Sequence, residues 1–284
     1  MATSVRTKPE APVLARRRQE LILDEVRASG AVRVSALTSR FRVSDMTIRR
    51  DLDVLASLGM LEKVHGGATA ATKLVQQRTT HEPGFEAKSH RQMAEKRAIA
   101  RAAAKLIAPG TAVGITAGTT TWQLAHELTG IAELTVVTNS IRVAEVLHLS
   151  KRADLTVVLT GGIRTPSDAL VGPVTVSALR SLHVDQVFMG VHGMAEQSGF
   201  TTPNLMEAET NRAFIDAAQE LVVLADHTKW GLHGLSSIAP LSQASLVVSD
   251  DALPTSAQEL LRGVVSRLTL VASSASRGRA RSIT

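Results

Sequence analysis

Apolar residues recur at helical spacing in three short segments near the start of the chain. The first two segments predict helices over residues 16–28 and 35–41. A third helix begins after Ser44, a residue that can cap it, and ends at Gly59. Four apolar residues at spacings of three and four predict its buried face: Ile48, Leu52, Leu55 and Leu58. The short connection 42–44 suits the turn of a helix-turn-helix, whose last helix enters the major groove of DNA.

The segment after the third helix predicts a β-hairpin. Residues 60–64 favour a strand, residues 65–67 favour a tight turn, and the chain returns from Ala68. Beside a reading helix, such a hairpin would form a wing. The predicted DNA-contacting residues lie on the free face of the helix and on the wing: Ser44, Met46, Thr47, Arg49, Arg50, Lys63 and His65.

The excess of basic charge lies in this part of the chain. Residues 1–80 contain 14 Lys or Arg against 8 Asp or Glu, whereas residues 81–284 contain 18 of each. An isolated pair of arginines is more often a solvated helix face, but a local excess beside this helix pattern favours contacts with the phosphates of duplex DNA. The seven aromatic residues include no tyrosine, which argues against base stacking on single strands.

Two domains are expected from the length and from the change of pattern along the chain. The predicted DNA-binding domain covers residues 13–70, a polar segment at 71–84 forms a linker, and a larger domain covers 85–271. The small, polar and basic segment 272–284 is expected to be a disordered tail.

The larger domain alternates helical and strand-like segments, which predicts an α/β fold with a mostly parallel sheet covered by helices. The predicted strands are 112–116, 134–138, 155–159, 186–191, 221–225 and 246–248. The predicted helices are 90–107, 119–128, 141–149, 174–182, 205–218 and 256–262.

Ligands of such sheets bind at the carboxyl ends of the strands, where this chain has four suggestive loops. The loop 116–121 places glycine and threonines at a helix start, which favours a phosphate, although a threonine cap explains it as well. The loop 138–140 has the same two interpretations. In the loop 160–162 the paired glycines allow close backbone approach or simply a tight turn, and in 226–229 Asp and Lys could form a surface ion pair.

The N-terminal motif TIRRDL, followed by a glycine and HGGA, closely resembles the winged helix-turn-helix of the DeoR family of bacterial transcriptional regulators. The loops AGTTT, VTNS, LTGG, LVGP and ADHTK resemble the sensor domain of the same family, so the resemblance spans about residues 13–271. It implies a fold similar to ribose-5-phosphate isomerase and a phosphorylated sugar or related metabolite as effector. The effector-binding residues that it implies are Gly118, Thr119, Thr120, Thr121, Asn139, Gly161, Gly162, Glu207, Asp226 and Lys229.

Three residues depart from the family pattern and leave the identity of the effector open. Thr116 stands where many members have an acid, Lys88 where an arginine is common, and Asn211 where a lysine is common. The resemblance implies a repressor of sugar uptake or catabolism genes whose affinity for its operator depends on the effector. Because one reading helix makes few base contacts, a homo-oligomer, dimer or tetramer, on paired half-sites is expected.

An alternative is a sugar-phosphate isomerase-like enzyme fused to a DNA-binding domain. Acid-base catalysis needs a carboxylate at the reacting carbon, and the loop 189–193 that would supply it reads MGVHG. We therefore expect a regulator and no enzyme. Without cysteine, a signal peptide or a long apolar stretch, we expect a cytoplasmic protein that needs no metal or cofactor.

Overall fold

The computed structural model describes residues 15–29, 31–57, 61–64, 66–69, 78–79 and 84–272. The chain divides into two compact units, Met1–Val75 and Gln76–Thr284, and this division falls within the predicted linker. The predicted tail beyond residue 272 lies outside the described residues, as do Leu58, Gly59 and His65. No helix in the described ranges is both long enough and apolar enough to cross a membrane.

The first unit is a three-helix bundle with a small antiparallel sheet. Its elements are α1 (Ala15–Ser29), β1 (Ala31–Arg33), α2 (Val34–Phe41), α3 (Asp45–Ser57), β2 (Glu62–Val64) and β3 (Gly67–Thr69). The helices agree with the predicted helix-turn-helix, and their apolar faces meet in one core that includes the fully buried Ile22, Leu37 and Ile48. The sheet order is β1-β3-β2, so the predicted wing hairpin also pairs with β1, a strand that the sequence pattern did not predict.

The second unit is built on a seven-stranded parallel sheet. Its helices are α4 (Phe85–Ser89), α5 (Met93–Ala104), α6 (Thr119–Glu127), α7 (Ile141–Leu149), α8 (Pro173–Leu179), α9 (Leu205–Asp216) and α10 (Thr255–Val264). Its strands are β4 (Arg78–Thr79), β5 (Ala112–Ile115), β6 (Thr135–Thr138), β7 (Thr156–Leu159), β8 (Ile163–Arg164), β9 (Leu170–Val171), β10 (Val184–Gly190), β11 (Gly193–Ala195), β12 (Gly199–Thr202), β13 (Ala218–Leu224), β14 (His233–Gly234), β15 (Ser236–Ala239), β16 (Leu246–Asp250) and β17 (Leu268–Val271). The sheet order is β17-β16-β13-β10-β5-β6-β7, which confirms the predicted α/β class.

Alternation along β13 shows how the sheet separates two cores. Leu221 and Val223 belong to one apolar cluster, whereas Val222 and Leu224 belong to the other, because successive side chains point to opposite faces. Helices α8, α9 and α10 contribute to the first cluster, and α5, α6 and α7 contribute to the second. Two helical layers therefore cover the sheet.

Several short elements were not predicted from the sequence. A three-stranded antiparallel sheet, β11-β12-β15, adjoins the main sheet, and β17 adds a strand at its edge. Within the predicted linker, β4 pairs in parallel with β14. Strands of two to four residues carry too little periodicity to be distinguished from loops, which explains why the pattern did not reveal them.

Candidate functional site

Helix α3 presents the predicted reading face to solvent. The Ser44 hydroxyl accepts a hydrogen bond from the Thr47 amide at 3.2 Å, which caps the helix. Met46 is 74% exposed, and Arg49 and Arg50 are exposed on the same helix, so these side chains are available to bases and phosphates.

Two acidic residues hold basic side chains of this face. Arg49 Nε donates to Asp45 Oδ1 at 3.1 Å one turn away, and both side chains are about half exposed. Lys63 on β2 forms an ion pair with Asp53 of α3. This second pair links the wing to the reading helix. Exposed pairs of this kind are weak and can exchange for phosphate contacts.

A buried ion pair fixes α3 against α1 and was not predicted from the sequence. Arg18 Nε donates to Asp51 Oδ2 at 2.6 Å, and Gln19 Nε2 donates to Asp51 Oδ1 at 2.9 Å. Both Arg18 and Asp51 are more than nine-tenths buried. The sequence feature that could have indicated this pair is Asp51, an aspartate that directly precedes the core residue Leu52 on the inward side of an amphipathic helix.

A cleft in the second unit brings together six of the ten predicted effector-binding residues. These six are Gly118, Thr119, Thr120, Asn139, Glu207 and Lys229. Further cleft-lining residues are Lys88, Ala117, Ser167, Ala169, Gly190, Val191, His192, Thr202, Pro203 and Asn211. Thr121, Gly161, Gly162 and Asp226 do not line the cleft.

The loop that follows β5 is rigidly placed at the start of α6. Asn139 Oδ1 accepts a hydrogen bond from the Ala117 amide at 2.9 Å, while its Nδ2 donates to the Leu170 carbonyl at 2.9 Å. Thr121 Oγ1 donates to the Gly118 carbonyl at 3.0 Å, so this hydroxyl stabilises the turn. The first amides of a helix have no partner within the helix. In α6 they belong to residues that line the cleft.

Cationic side chains gather beside this helix start. Burial lowers the pKa of Lys229, the carboxylate of Asp226 opposes the shift, and the nearby cations Lys88 and Arg91 lower the pKa further. Lys96 has its pKa lowered to about 8, mainly by burial. Burial is the main cause of both shifts, and the neighbouring cations add to it.

Asp226 does not line the cleft, but its carboxylate interacts electrostatically with Lys229 and Lys96. It is 1% exposed and accepts hydrogen bonds from the amide and hydroxyl of Thr228, which caps a short 3₁₀ helix over 227–229. Lys96 Nζ donates to the carbonyls of Lys88 and Arg91 at 2.8 and 2.6 Å, which positions α4 and the turn after it.

Glu207 lies on α9 and is held by three hydroxyl groups. Its Oε1 accepts from Ser167 at 2.7 Å and from Thr165 at 3.3 Å, and its Oε2 accepts from Thr202 at 3.0 Å. A carboxylate held in this way suits the recognition of ligand hydroxyl groups.

Gly161 and Gly162 are explained by turn geometry. Gly162 has φ +124°, and a Cβ there would overlap the Thr175 hydroxyl and lie 2.7 Å from the Val171 carbonyl oxygen. The Gly161 carbonyl accepts a hydrogen bond from Thr175 Oγ1 at 2.6 Å. Both residues shape the turn between β7 and β8, which is the alternative that the sequence left open.

Two of the three departures from the family pattern, Lys88 and Asn211, lie at the cleft. Thr116 is fully buried, and its hydroxyl accepts a hydrogen bond from the Gly190 amide at 3.2 Å. In the described ranges, no three His, Asp or Glu side chains come together as a metal site.

Comparison with known proteins assigns the family. The model of the DeoR-like helix-turn-helix domain matches residues 18–74, and that of the DeoR C terminal sensor domain matches residues 91–251. The chain belongs to the DeoR family. It is a DNA-binding transcriptional regulator, and α3 lies within the matched helix-turn-helix domain.

Similar proteins cover nearly the whole chain. The uncharacterized HTH-type transcriptional regulator YgbI of Escherichia coli is 35% identical over 86% of this chain and 93% of its own length. The glycerol-3-phosphate regulon repressor of Escherichia coli is 30% identical over 84% of this chain and 92% of its own. A solved ribose 5-phosphate isomerase A from Methanocaldococcus jannaschii shows a partial likeness, with 18% identity, 48% of this chain and 53% of that chain covered, and a TM-score of 0.35.

Proposed function

We propose that this DeoR-family regulator represses genes for the uptake or catabolism of a sugar, and that a phosphorylated sugar or related metabolite in the cleft controls its affinity for the operator. One observation carries the proposal. The cleft joins the start of α6 and two lysines, Lys88 and Lys229, to a carboxylate, Glu207, that is already held by hydroxyls.

The two kinds of group fit the two parts of such a ligand. A phosphate accepts hydrogen bonds from helix amides and from the hydroxyls of Thr119 and Thr120, and its charge compensates the burial of Lys229. The Glu207 carboxylate accepts hydrogen bonds from sugar hydroxyls. The name of the glycerol-3-phosphate regulon repressor supports a phosphorylated metabolite of this general kind.

The DNA contacts come from the exposed face of α3 and from the wing. Near the start of α3 lie Ser44, Met46 and Thr47. Positive charge comes from Arg49 and Arg50 on the helix and from Lys63 on the wing. His65 remains a predicted contact outside the described residues. A homo-oligomer, dimer or tetramer, would place two reading helices on paired half-sites, and the target DNA would place the protein in the cytoplasm.

We favour a sensor over an enzyme because of the carboxylates. Among the described residues that line the cleft, Glu207 is the only acidic side chain, and its oxygens already accept hydrogen bonds from three hydroxyl groups. Proton transfer needs a carboxylate placed at the reacting carbon. The curated relatives are named as regulators.

Thermal shift and DNA binding test the proposal together. Phosphorylated sugars are screened against the same sugars without phosphate, and a hit should raise the melting temperature of the chain. The double variant Thr119→Val with Thr120→Val should lose this shift and keep its DNA affinity, whereas the exposed control Thr129→Val should behave as wild type. A double variant that responds normally to the hit would contradict the phosphate site.

A further inference from the structure

An ion-pair network around Asp168 lies behind the cleft. Asp168 belongs to the loop between β8 and β9 and has φ +59°, an uncommon conformation that aspartate tolerates better than most residues. Its carboxylate is 5% exposed and accepts hydrogen bonds from Arg142 Nε at 2.7 Å and Arg164 Nε at 2.8 Å. Burial raises its pKa, but the bonds from Arg164 and Arg142 outweigh this and lower it. The loop is therefore fixed at a charged carboxylate.

The guanidinium of Arg142 connects this loop to α4. Its Nη2 lies 3.4 Å from Glu86 Oε1, and its Cζ lies 5.2 Å from the centroid of the Phe85 ring. The Phe85 amide also donates to the Pro166 carbonyl at 3.3 Å. Helix α4 is thus connected to the loop through a backbone hydrogen bond, and to Arg142 through an ion pair and a cation–π contact.

The same loop borders the cleft on its other side. Ser167 and Ala169 line the cleft, and the Ser167 hydroxyl donates to Glu207 at 2.7 Å. A ligand hydroxyl that donates to Glu207 Oε1 competes with Ser167 and Thr165, because this oxygen already accepts the hydrogen bonds of both. Occupation of the cleft therefore changes the contacts that hold the loop.

Within the described residues, α4 is the first helix of the second unit. We propose that Arg142 and Asp168 are positioning residues that transmit the state of the Glu207 carboxylate to α4. The proposal rests on the proposed function only in taking the ligand of Glu207 to be the effector. Such coupling requires a ligand that interacts unequally with two arrangements of the loop, and competition for Glu207 supplies that difference.

A double-mutant cycle in the full chain tests this transmission without ligand or DNA. Ser167→Ala removes the 2.7 Å bond to Glu207, and Asp168→Asn removes the charge while keeping a residue that tolerates positive φ. Hydrogen exchange is measured on peptides spanning 84–92. Ser167→Ala should accelerate exchange about fivefold, but less than about twofold in the Asp168→Asn background, because both changes act on one path.

Asp154→Asn is the matched control, because it breaks a partly exposed pair with Arg152 elsewhere in the unit. In that background Ser167→Ala should keep its full effect. A second readout is the fluorescence of Trp122, whose ring lies 5.6 Å from that of Phe85, measured in a Trp230→Phe background. It should change with Ser167→Ala.

Arg142→Gln interrupts the same path and replaces Asp168→Asn should that variant fail to fold. The proposal is overturned when Ser167→Ala leaves the exchange of 84–92 unchanged, or when its effect persists undiminished in both interrupted backgrounds. Because no metabolite is used, a failed search for a phosphorylated effector leaves this result standing, and the reverse also holds.

Discussion

The buried pair between Arg18 and Asp51 gives a sharp stability prediction for the DNA-binding unit. Asp51→Asn keeps the size of the side chain and an oxygen for the 2.9 Å bond from Gln19, but it removes the negative charge opposite a buried guanidinium. Asp45→Asn is a matched control on the same helix, because it makes the same chemical change in a pair that is about half exposed.

The magnitudes follow from burial. Removing one partner of a buried ion pair costs about 3–5 kcal/mol, and the retained Gln19 bond places Asp51→Asn near the lower end, about 3 kcal/mol. An exposed pair one turn apart contributes only about 0.3–0.5 kcal/mol, so Asp45→Asn should be nearly neutral. A unit of about 75 residues has only about 3–5 kcal/mol to lose, so Asp51→Asn should leave it a free energy of unfolding of at most about 2 kcal/mol.

Hydrogen exchange of peptides from α1 and α3 across a urea series, in the full chain, measures both variants. Asp51→Asn should reduce protection by about 100-fold relative to Asp45→Asn. Replacing both partners by apolar residues, Arg18→Met with Asp51→Leu, should recover most of the loss, since the buried guanidinium is removed together with the carboxylate. Equal protection in Asp51→Asn and Asp45→Asn would refute the reasoning.

Three further predictions concern the two sites and the sheet. Arg49→Ala should weaken binding to a duplex at least about tenfold at fixed salt, with the melting of the second unit unchanged; equal affinity by fluorescence anisotropy would count against α3 as the reading helix. Because burial lowers the pKa of Lys229 and a bound anion favours its charged form, affinity for inorganic phosphate should fall as pH rises from 8 to 10, a range in which phosphate is already a dianion. Calorimetry should find this fall shallower in Lys229→Met, and parallel curves would remove Lys229 from the site. Gly162→Ala should lower the free energy of unfolding by about 2–4 kcal/mol, because of the positive φ and the overlap of a Cβ with Thr175. Gly263→Ala should not destabilise the protein, because a Cβ there meets open space. Similar urea midpoints for the two variants would contradict this explanation.

Sequence periodicity predicted the long elements because their faces are buried by a core. Helix α3 is an example, since Ile48, Leu52 and Leu55 repeat at helical spacing and are all buried. Strand β1 and helix α4 escaped prediction because three and five residues carry no resolvable period. The pairing of β4 with β14 depends on residues about 150 positions apart, which local pattern cannot report.

The candidate cleft was predictable where a motif lies at a strand end. Gly118, Thr119 and Thr120 lie in and just after the loop that follows β5, and the parallel sheet brings them to the same edge as Asn139. Ser167 and Thr202 come from a hairpin and a short antiparallel sheet, so their approach to Glu207 is visible only in the folded chain. The roles of all these residues toward a ligand remain predictions.

The central claim is that a phosphorylated metabolite in the second unit controls the affinity of the first unit for DNA. Fluorescence anisotropy at fixed salt can compare DNA from upstream of the protein's own gene with random duplex of equal length, with and without each candidate metabolite. The account predicts a preference for the upstream DNA. One phosphorylated sugar should change this preference, whereas its unphosphorylated form should not. In the double variant Thr119→Val with Thr120→Val, the phosphorylated sugar should no longer have an effect. Equal affinity for both duplexes under every condition would contradict it.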